Sequence, residues 1–219
     1  MTQWWNYRLE DLLLFSSGTY YRLFELYHRD VWPLQILAVL LGITILRLAS
    51  RNPPRRGRLI AFFLAAAWLW VAWAYHLRHY ATIAWFADYF ALGFALQALL
   101  LIGSGVCCSH GLFQAEARAI RWAGPGIFLF SLLVLPVVVP LLGRDWRQTE
   151  LFAMTPDATA IASLGLLLLC KGKTFWVLAF IPLCWCMISA ATLWAMDSPA
   201  AFISALVALA VVILAPWRR

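Results

Sequence analysis

From residue 31 onward the chain alternates between long apolar runs and short charged segments. Seven such runs stand out: Val31–Leu48, Leu59–Leu77, Tyr89–Cys107, Trp122–Gly143, Thr155–Cys170, Phe175–Met196 and Ala200–Pro216. A helix rising about 1.5 Å per residue needs about 20 residues to cross a hydrocarbon layer of about 30 Å, so most of these runs predict membrane-spanning helices with snorkelling ends. The fifth is short. Only 13 residues separate Asp157 from Lys171, so this helix must begin earlier, thin the bilayer or make only part of a crossing. The expected fold is an all-α integral membrane protein with six or seven spans.

The first 30 residues are patterned differently. Glu10, Asp11, Arg22 and Glu25 interrupt their hydrophobicity, and no basic stretch precedes a short apolar core, so neither a secretory signal nor a span is expected. Leu12, Leu13, Phe15, Tyr20, Leu23, Phe24 and Tyr27 follow a loose helical spacing broken near Ser16-Ser17-Gly18. That pattern predicts an amphipathic helix, or a pair, lying on the outer interface. The organisation is thus an outer-face amphipathic segment over 1–30 and a single helical bundle over 31–219, without an evident internal repeat.

Composition agrees with lipid as the solvent. Of 219 residues 64% are hydrophobic and 12% charged, with a mean hydropathy of +0.80, against about 45–50% and about 25% for a soluble domain. Thirteen Trp, 7 Tyr and 14 Phe suit anchoring at two interfaces and packing between helices. The net charge of +7 is read as membrane orientation and not as nucleic-acid binding. Arg47, Arg51, Arg55, Arg56, Arg58, Arg118, Arg121, Lys171, Lys173, Arg218 and Arg219 fall on one side of a seven-span path, eleven against six on the other. The positive-inside rule then places the N-terminus outside and the C-terminus inside. The turn Arg51-Asn-Pro-Pro-Arg-Arg-Gly-Arg58 is a rigid basic linker suited to anionic head groups.

Candidate chemistry gathers near the outer ends of the spans. His76 and His79 lie three apart on the second span, with His28, Asp30 and Asp88 expected at similar depth. Imidazole with carboxylate suits a divalent transition metal, and His76, His79 and Asp88 form the candidate ligand set. Trp73 shares a helical face with His76 and can line a solute pocket with it. Met154-Thr-Pro-Asp-Ala-Thr159 opens the short helix, with Thr155 as N-cap, Pro156 at the first position and Asp157 complementing the helix dipole. If residues 146–153 dip into the protein, this N-terminus faces a polar cavity at partial depth, as in broken-helix transporters. Pro136 and Pro140 are expected to bend the fourth span. On the other side, Cys107, Cys108, His110 and Cys170 offer soft ligands, although cysteines in spans are most simply small core side chains. Cys184 and Cys186 point in different directions from the sixth span.

Enzyme readings lack their required groups. Both lysines lie in the turn Lys171-Gly-Lys173, so no span offers a Schiff base. Gly103-Ser-Gly105 lies near the face opposite His76, which leaves the serine without a base. There is no His-Glu-x-x-His helix, no phosphate loop and no second axial histidine for a haem. A membrane enzyme is therefore not expected.

Val31-Trp-Pro-Leu-Gln35, Trp70-Val-Ala-Trp-Ala-Tyr-His76, Phe94-Ala-Leu-Gln-Ala-Leu99, Thr155-Pro156 with Leu164-Gly-Leu-Leu-Leu-Leu169, and Ile181-Pro-Leu-Cys-Trp185 occur in this order. On these landmarks the whole chain resembles a family of bacterial multi-pass membrane proteins known only as a domain of unknown function. The resemblance implies a bacterial inner-membrane location and supplies no activity, cofactor or catalytic residue. Asp157 departs from the family pattern, in which the residue after Thr-Pro is commonly not acidic. The expected function is binding or transport of a small solute or ion through an outward-facing polar pocket containing His76, Trp73, Asp157 and Thr155. The alternative is a noncatalytic accessory or assembly subunit that packs against a membrane protein partner.

Overall fold

The computed structural model describes residues 15–51, 55–107, 113 and 117–218. Among the described residues the chain is helical throughout, with no strand. Helix α1 (Ser17–Asp30) is followed by α2 (Leu34–Ser50), α3 (Arg56–Trp70), α4 (Ala87–Cys107), α5 (Arg118–Leu129), α6 (Leu135–Leu141), α7 (Pro156–Leu167), α8 (Gly172–Ala195) and α9 (Ala201–Leu214). α3 continues through a π-helical turn, Val71–Leu77, and a second π turn, Phe130–Val134, joins α5 to α6. The second of these ends two residues before Pro136, which has no N–H to give the helical ladder.

Five helical stretches are long and apolar enough to cross a membrane: Arg56–Thr82, Ala87–Cys107, Arg118–Leu141, Gly172–Ala195 and Ala201–Arg218. A sixth arises if α1 and α2, bent by 89°, are taken as one broken span. The expected fifth run becomes α7, which has only 12 residues and rises about 18 Å. It belongs to the core of the bundle.

The expected amphipathic N-terminal helix is present as α1; Leu12 and Leu13 lie outside the described residues. Ser16 caps it, accepting a hydrogen bond from the Thr19 N–H at 3.2 Å. Tyr20, Leu23, Phe24 and Tyr27 form its buried face, the i, i+3, i+4, i+7 stripe of a surface helix. The rings of Tyr20, Phe24 and Tyr27 join those of Tyr75 and Tyr80 at the end of the extended α3, so α1 lies over one end of the bundle. His28 Nε2 meets the Thr149 carbonyl at 2.9 Å, which fastens α1 to the segment 142–155.

Three contacts position α7. At its crossing with α5, a Cβ on Gly165 would come within 2.7 Å of the Gly124 carbonyl oxygen, and a Cβ on Gly124 would meet the Gly165 carbonyl oxygen at 2.7 Å. The two backbones therefore touch, which only residues without side chains allow. The Ser131 hydroxyl donates to the Ala158 carbonyl at 2.6 Å, and the Trp68 indole donates to the Ser163 hydroxyl at 2.8 Å. These bonds set the rotation of α7 about its axis and so the direction of Asp157.

Candidate functional site

Every residue from 152 to 170 is buried, so α7 begins inside the protein. The chain reaches that depth through a tight doubling-back. Ala153 adopts a left-handed φ of 61°, and the Thr155 N–H donates to the Leu151 carbonyl at 2.9 Å. Thr155 occupies the N-cap position, but its hydroxyl exchanges hydrogen bonds with the Leu151 backbone and makes no cap. The expectation of a capping Thr155 is corrected on that geometry: the turn brings Leu151 to the hydroxyl. Thr159 reinforces the turn, accepting from the Ala153 N–H at 3.1 Å and donating to the Thr155 carbonyl at 2.8 Å.

Pro156 and Asp157 stand in the first turn, as the sequence predicts. The Asp157 carboxylate is only 6% exposed and collects donors from two other helices. The Trp185 indole N–H donates to Oδ1 at 2.7 Å. The Ser189 hydroxyl donates to Oδ2, and the Ser204 hydroxyl approaches the same oxygen at 3.5 Å. Trp185 and Ser189 are four apart on α8 and share a face, while Ser204 comes from α9. The positive end of the α7 dipole adds to the stabilisation of negative charge.

Trp185 also forms one wall of a second group. Its ring lies 5.2 Å from that of His76, 5.2 Å from Phe90 and 5.1 Å from Phe94. His76 is fully buried, with its ring 4.6 Å from Phe94 and 5.2 Å from Tyr75. Neither imidazole nitrogen has a hydrogen-bond partner in the protein. A neutral imidazole carries one donor and one acceptor, so both valences are open in an apolar cage. Asp157, Trp185 and His76 thus form a column in which a carboxylate can balance a cation and an imidazole can accept or pass a proton.

The other candidates separate from this column. Trp73 does not face the same way as His76: it is 47% exposed, packs edge-on to Trp70 and carries the Arg78 guanidinium over its ring at 5.2 Å. The cause is the π turn over Val71–Leu77, whose wider winding breaks the α-helical phase that placed residues 73 and 76 together. His79 turns to the Ala74 carbonyl at 2.7 Å and to the Asp30 carboxylate at 3.2 Å. Asp88 is exposed in the first turn of α4. Among the described residues no group of three or more His, Cys, Asp or Glu side chains is placed to hold a metal ion, and His76, His79 and Asp88 make none. Cys108 and His110 lie outside the described residues; Cys184 is exposed and Cys186 buried.

A buried ion pair supports the segment leading into the site. Arg144 meets Glu150 at 2.8 Å and donates to the Gln148 carbonyl at 2.7 Å, with its guanidinium over the rings of Tyr21 and Phe24. Burial pushes the Glu150 carboxyl up to about 7; the Asp157 charge adds to the rise and Arg144 opposes it. The folded protein therefore holds this proton more tightly than the unfolded chain, where the ordinary value is 4.5. Its contribution to stability is complete below that value and lost as pH rises through about 7. The melting temperature in detergent should fall by several degrees between about pH 5 and pH 8, and Glu150→Gln should flatten the slope. A slope unchanged in the variant would assign the pH dependence elsewhere.

Trp185, Ser189 and Ser204 were not among the residues expected at the site, although two serines within apolar runs are a readable sign. A family model described as Family of unknown function (DUF6064) matches residues 17–219. The chain belongs to this family. Neither the curated proteins nor the solved structures contain a significant match.

Proposed function

We propose that this family member binds a small solute or ion, and passes it across the membrane, at the core site made by Asp157, Trp185, Ser189, Ser204 and His76. The observation that supports this reading is a carboxylate at the start of a wholly buried half-length helix. Folding alone gives little reason for it, since apolar residues of similar volume usually stabilise a core as well as a buried charge does. Half-helices whose N-termini end at partial depth are the common construction of solute and ion sites in transporters. The eleven-to-six distribution of Lys and Arg supports an orientation with α1 outside and the C-terminus inside, and the family resemblance supports a bacterial inner membrane. α7, entered through the turn at 151–155, then makes the fifth of seven crossings, and the site opens toward the outer face. Of the sequence candidates, His76 and Asp157 carry the binding, Thr155 shapes the turn and Trp73 faces lipid.

His76→Phe tests the reading because it keeps the ring packing and removes two unpartnered nitrogens. A buried unsatisfied group costs about 1–3 kcal/mol, so the variant should melt several degrees higher than the wild type. Native mass spectra of the full-length protein, gently solubilised from its own host, should show a small-mass or metal adduct that His76→Phe loses. An adduct retained by the variant overturns the assignment of His76. A stoichiometric protein partner with no adduct would instead make the chain an accessory subunit whose polar core only packs.

A further inference from the structure

The core site is enclosed. Asp157 is 6% exposed and His76 not at all, so a solute that reaches them from outside needs part of the protein to move. Two layers of rings lie above His76. Tyr75 and Tyr80 stand against it, with ring centroids at 5.2 and 5.9 Å. On these rest the rings of α1: Tyr20 lies 6.3 Å from Tyr80, and Phe24 and Tyr27 lie 5.4 and 5.6 Å from Tyr75. The Tyr27 hydroxyl also donates to the Met154 sulfur at 3.9 Å, three residues before Asp157. α1 thus covers the site from His76 to the start of α7. We propose that α1 is the outer lid of the core site, closing over a bound solute and swinging about residues 31–33 to admit or release it. The inference rests on the binding role proposed above for Asp157 and His76.

The attachment of α1 suits a lid. It meets α2 at an angle of 89° across a break of a few residues, and hinges are commonly a few residues at element ends that absorb the rotation. Its backbone runs close to the turn Trp146–Gln148, and it reaches the helices beneath through the side chains of one stripe. The transport core is held differently, with α5 and α7 in backbone contact at Gly124 and Gly165. On its buried side α1 closes onto the segment that leads into α7, where the Arg144 guanidinium lies 4.7 and 4.8 Å from the Tyr21 and Phe24 rings. The Tyr27 hydroxyl accepts from the Trp70 indole at 3.1 Å. At the rim the fastenings are polar and replaceable by water. Glu25 meets Arg147 at 3.8 Å and Asp30 meets His79 at 3.2 Å, with Arg147 and Asp30 largely exposed. Exposed ion pairs of this kind add little to stability.

The membrane makes the open position accessible. A helix that peeled into water would expose Tyr20, Leu23, Phe24 and Tyr27 together. These residues form one face of an amphipathic helix, and such a helix rests in the membrane interface with that face toward the acyl chains, where tyrosine rings are favoured. Lifting α1 therefore exchanges burial against Tyr75 and Tyr80 for burial in lipid.

The test is to lock the lid. Glu25→Cys with Arg147→Cys, in the full-length protein in lipid nanodiscs, places a thiol on α1 and another on the turn beneath it, and a short reducible bis-thiosulfonate joins them. The single variants given the same reagent account for the native cysteines. Hydrogen–deuterium exchange is read by mass spectrometry over residues 152–160 and over α8. Locked protein should exchange over 152–160 at least about tenfold more slowly than the same protein after reduction, with α8 unchanged, and should neither take up nor release the small-mass adduct. Asp30→Cys with His79→Cys is a second lock, used if the first pair joins poorly. Equal exchange over 152–160 in locked and reduced protein, or a slowing shared equally by α8, overturns the lid. Slower exchange confined to 152–160, with no adduct in either state, keeps α1 as the outer cover and overturns the solute reading of the core instead.

Discussion

Asp157→Leu is expected to lower the melting temperature by about 10 °C or more, whereas Asp157→Asn is expected to fold and to bind nothing. The difference follows from the donors around the carboxylate. Leucine removes the acceptor of the Trp185 indole N–H and the Ser189 hydroxyl, which among the described residues donate only to Asp157. Each stranded donor costs about 1–3 kcal/mol, and a chain of this size loses about 2–4 °C per kcal/mol. Asparagine keeps an oxygen for the indole, and its amide can donate to Ser189 once that hydroxyl rotates. What asparagine cannot supply is charge. If the site balances a cation or exchanges a proton, Asp157→Asn should reduce the bound adduct, and uptake into proteoliposomes, to below about a tenth of wild type. Thermal melts of both variants beside the adduct measurement check the two halves separately. Full binding by Asp157→Asn would show that the carboxylate serves folding alone.

The parts of this arrangement that are local in sequence were legible in it. The stripe Tyr20, Leu23, Phe24 and Tyr27 identifies α1, and Thr-Pro-Asp marks the start of a helix too short to cross. The parts that depend on winding or on distant pairing were not. Seven residues of π helix rotate Trp73 away from His76, and nothing in Val71–Leu77 distinguishes that turn from an α-helical one. His79 pairs with Asp30 in place of Asp88, a choice made by the bend between α1 and α2. The donors to Asp157 come from residues 28, 32 and 47 positions away, so only the packing of three helices assembles them. Arg144 and Glu150 are close in the chain, yet their pairing required the segment 142–155 to descend beneath α1.

That assembly rests on the backbone contact between α5 and α7, where the second large effect is expected. Gly165→Val should reduce stability by about 3 kcal/mol or more, because the added carbons would meet the Gly124 oxygen at 2.7 Å and the Phe128 nitrogen at 2.8 Å. These are backbone atoms of another helix and cannot rotate away, as a flexible side chain could. Gly124→Ala meets the Gly165 oxygen in the same manner. Gly93→Ala and Gly126→Ala are the controls. A Cβ at either finds nothing within 4 Å, and alanine gains up to about 1 kcal/mol over glycine inside a helix, so both should melt at or above the wild-type temperature. Melting of all four variants in one detergent checks the contrast, and similar losses at all four positions would sink it. The contact also carries a functional consequence. Asp157 faces Trp185 and Ser189 only while α7 lies against α5 with its Ala158 carbonyl bonded to Ser131. Gly124→Ala, far from the carboxylate in sequence, should therefore weaken binding at the core site at temperatures where the protein is still folded.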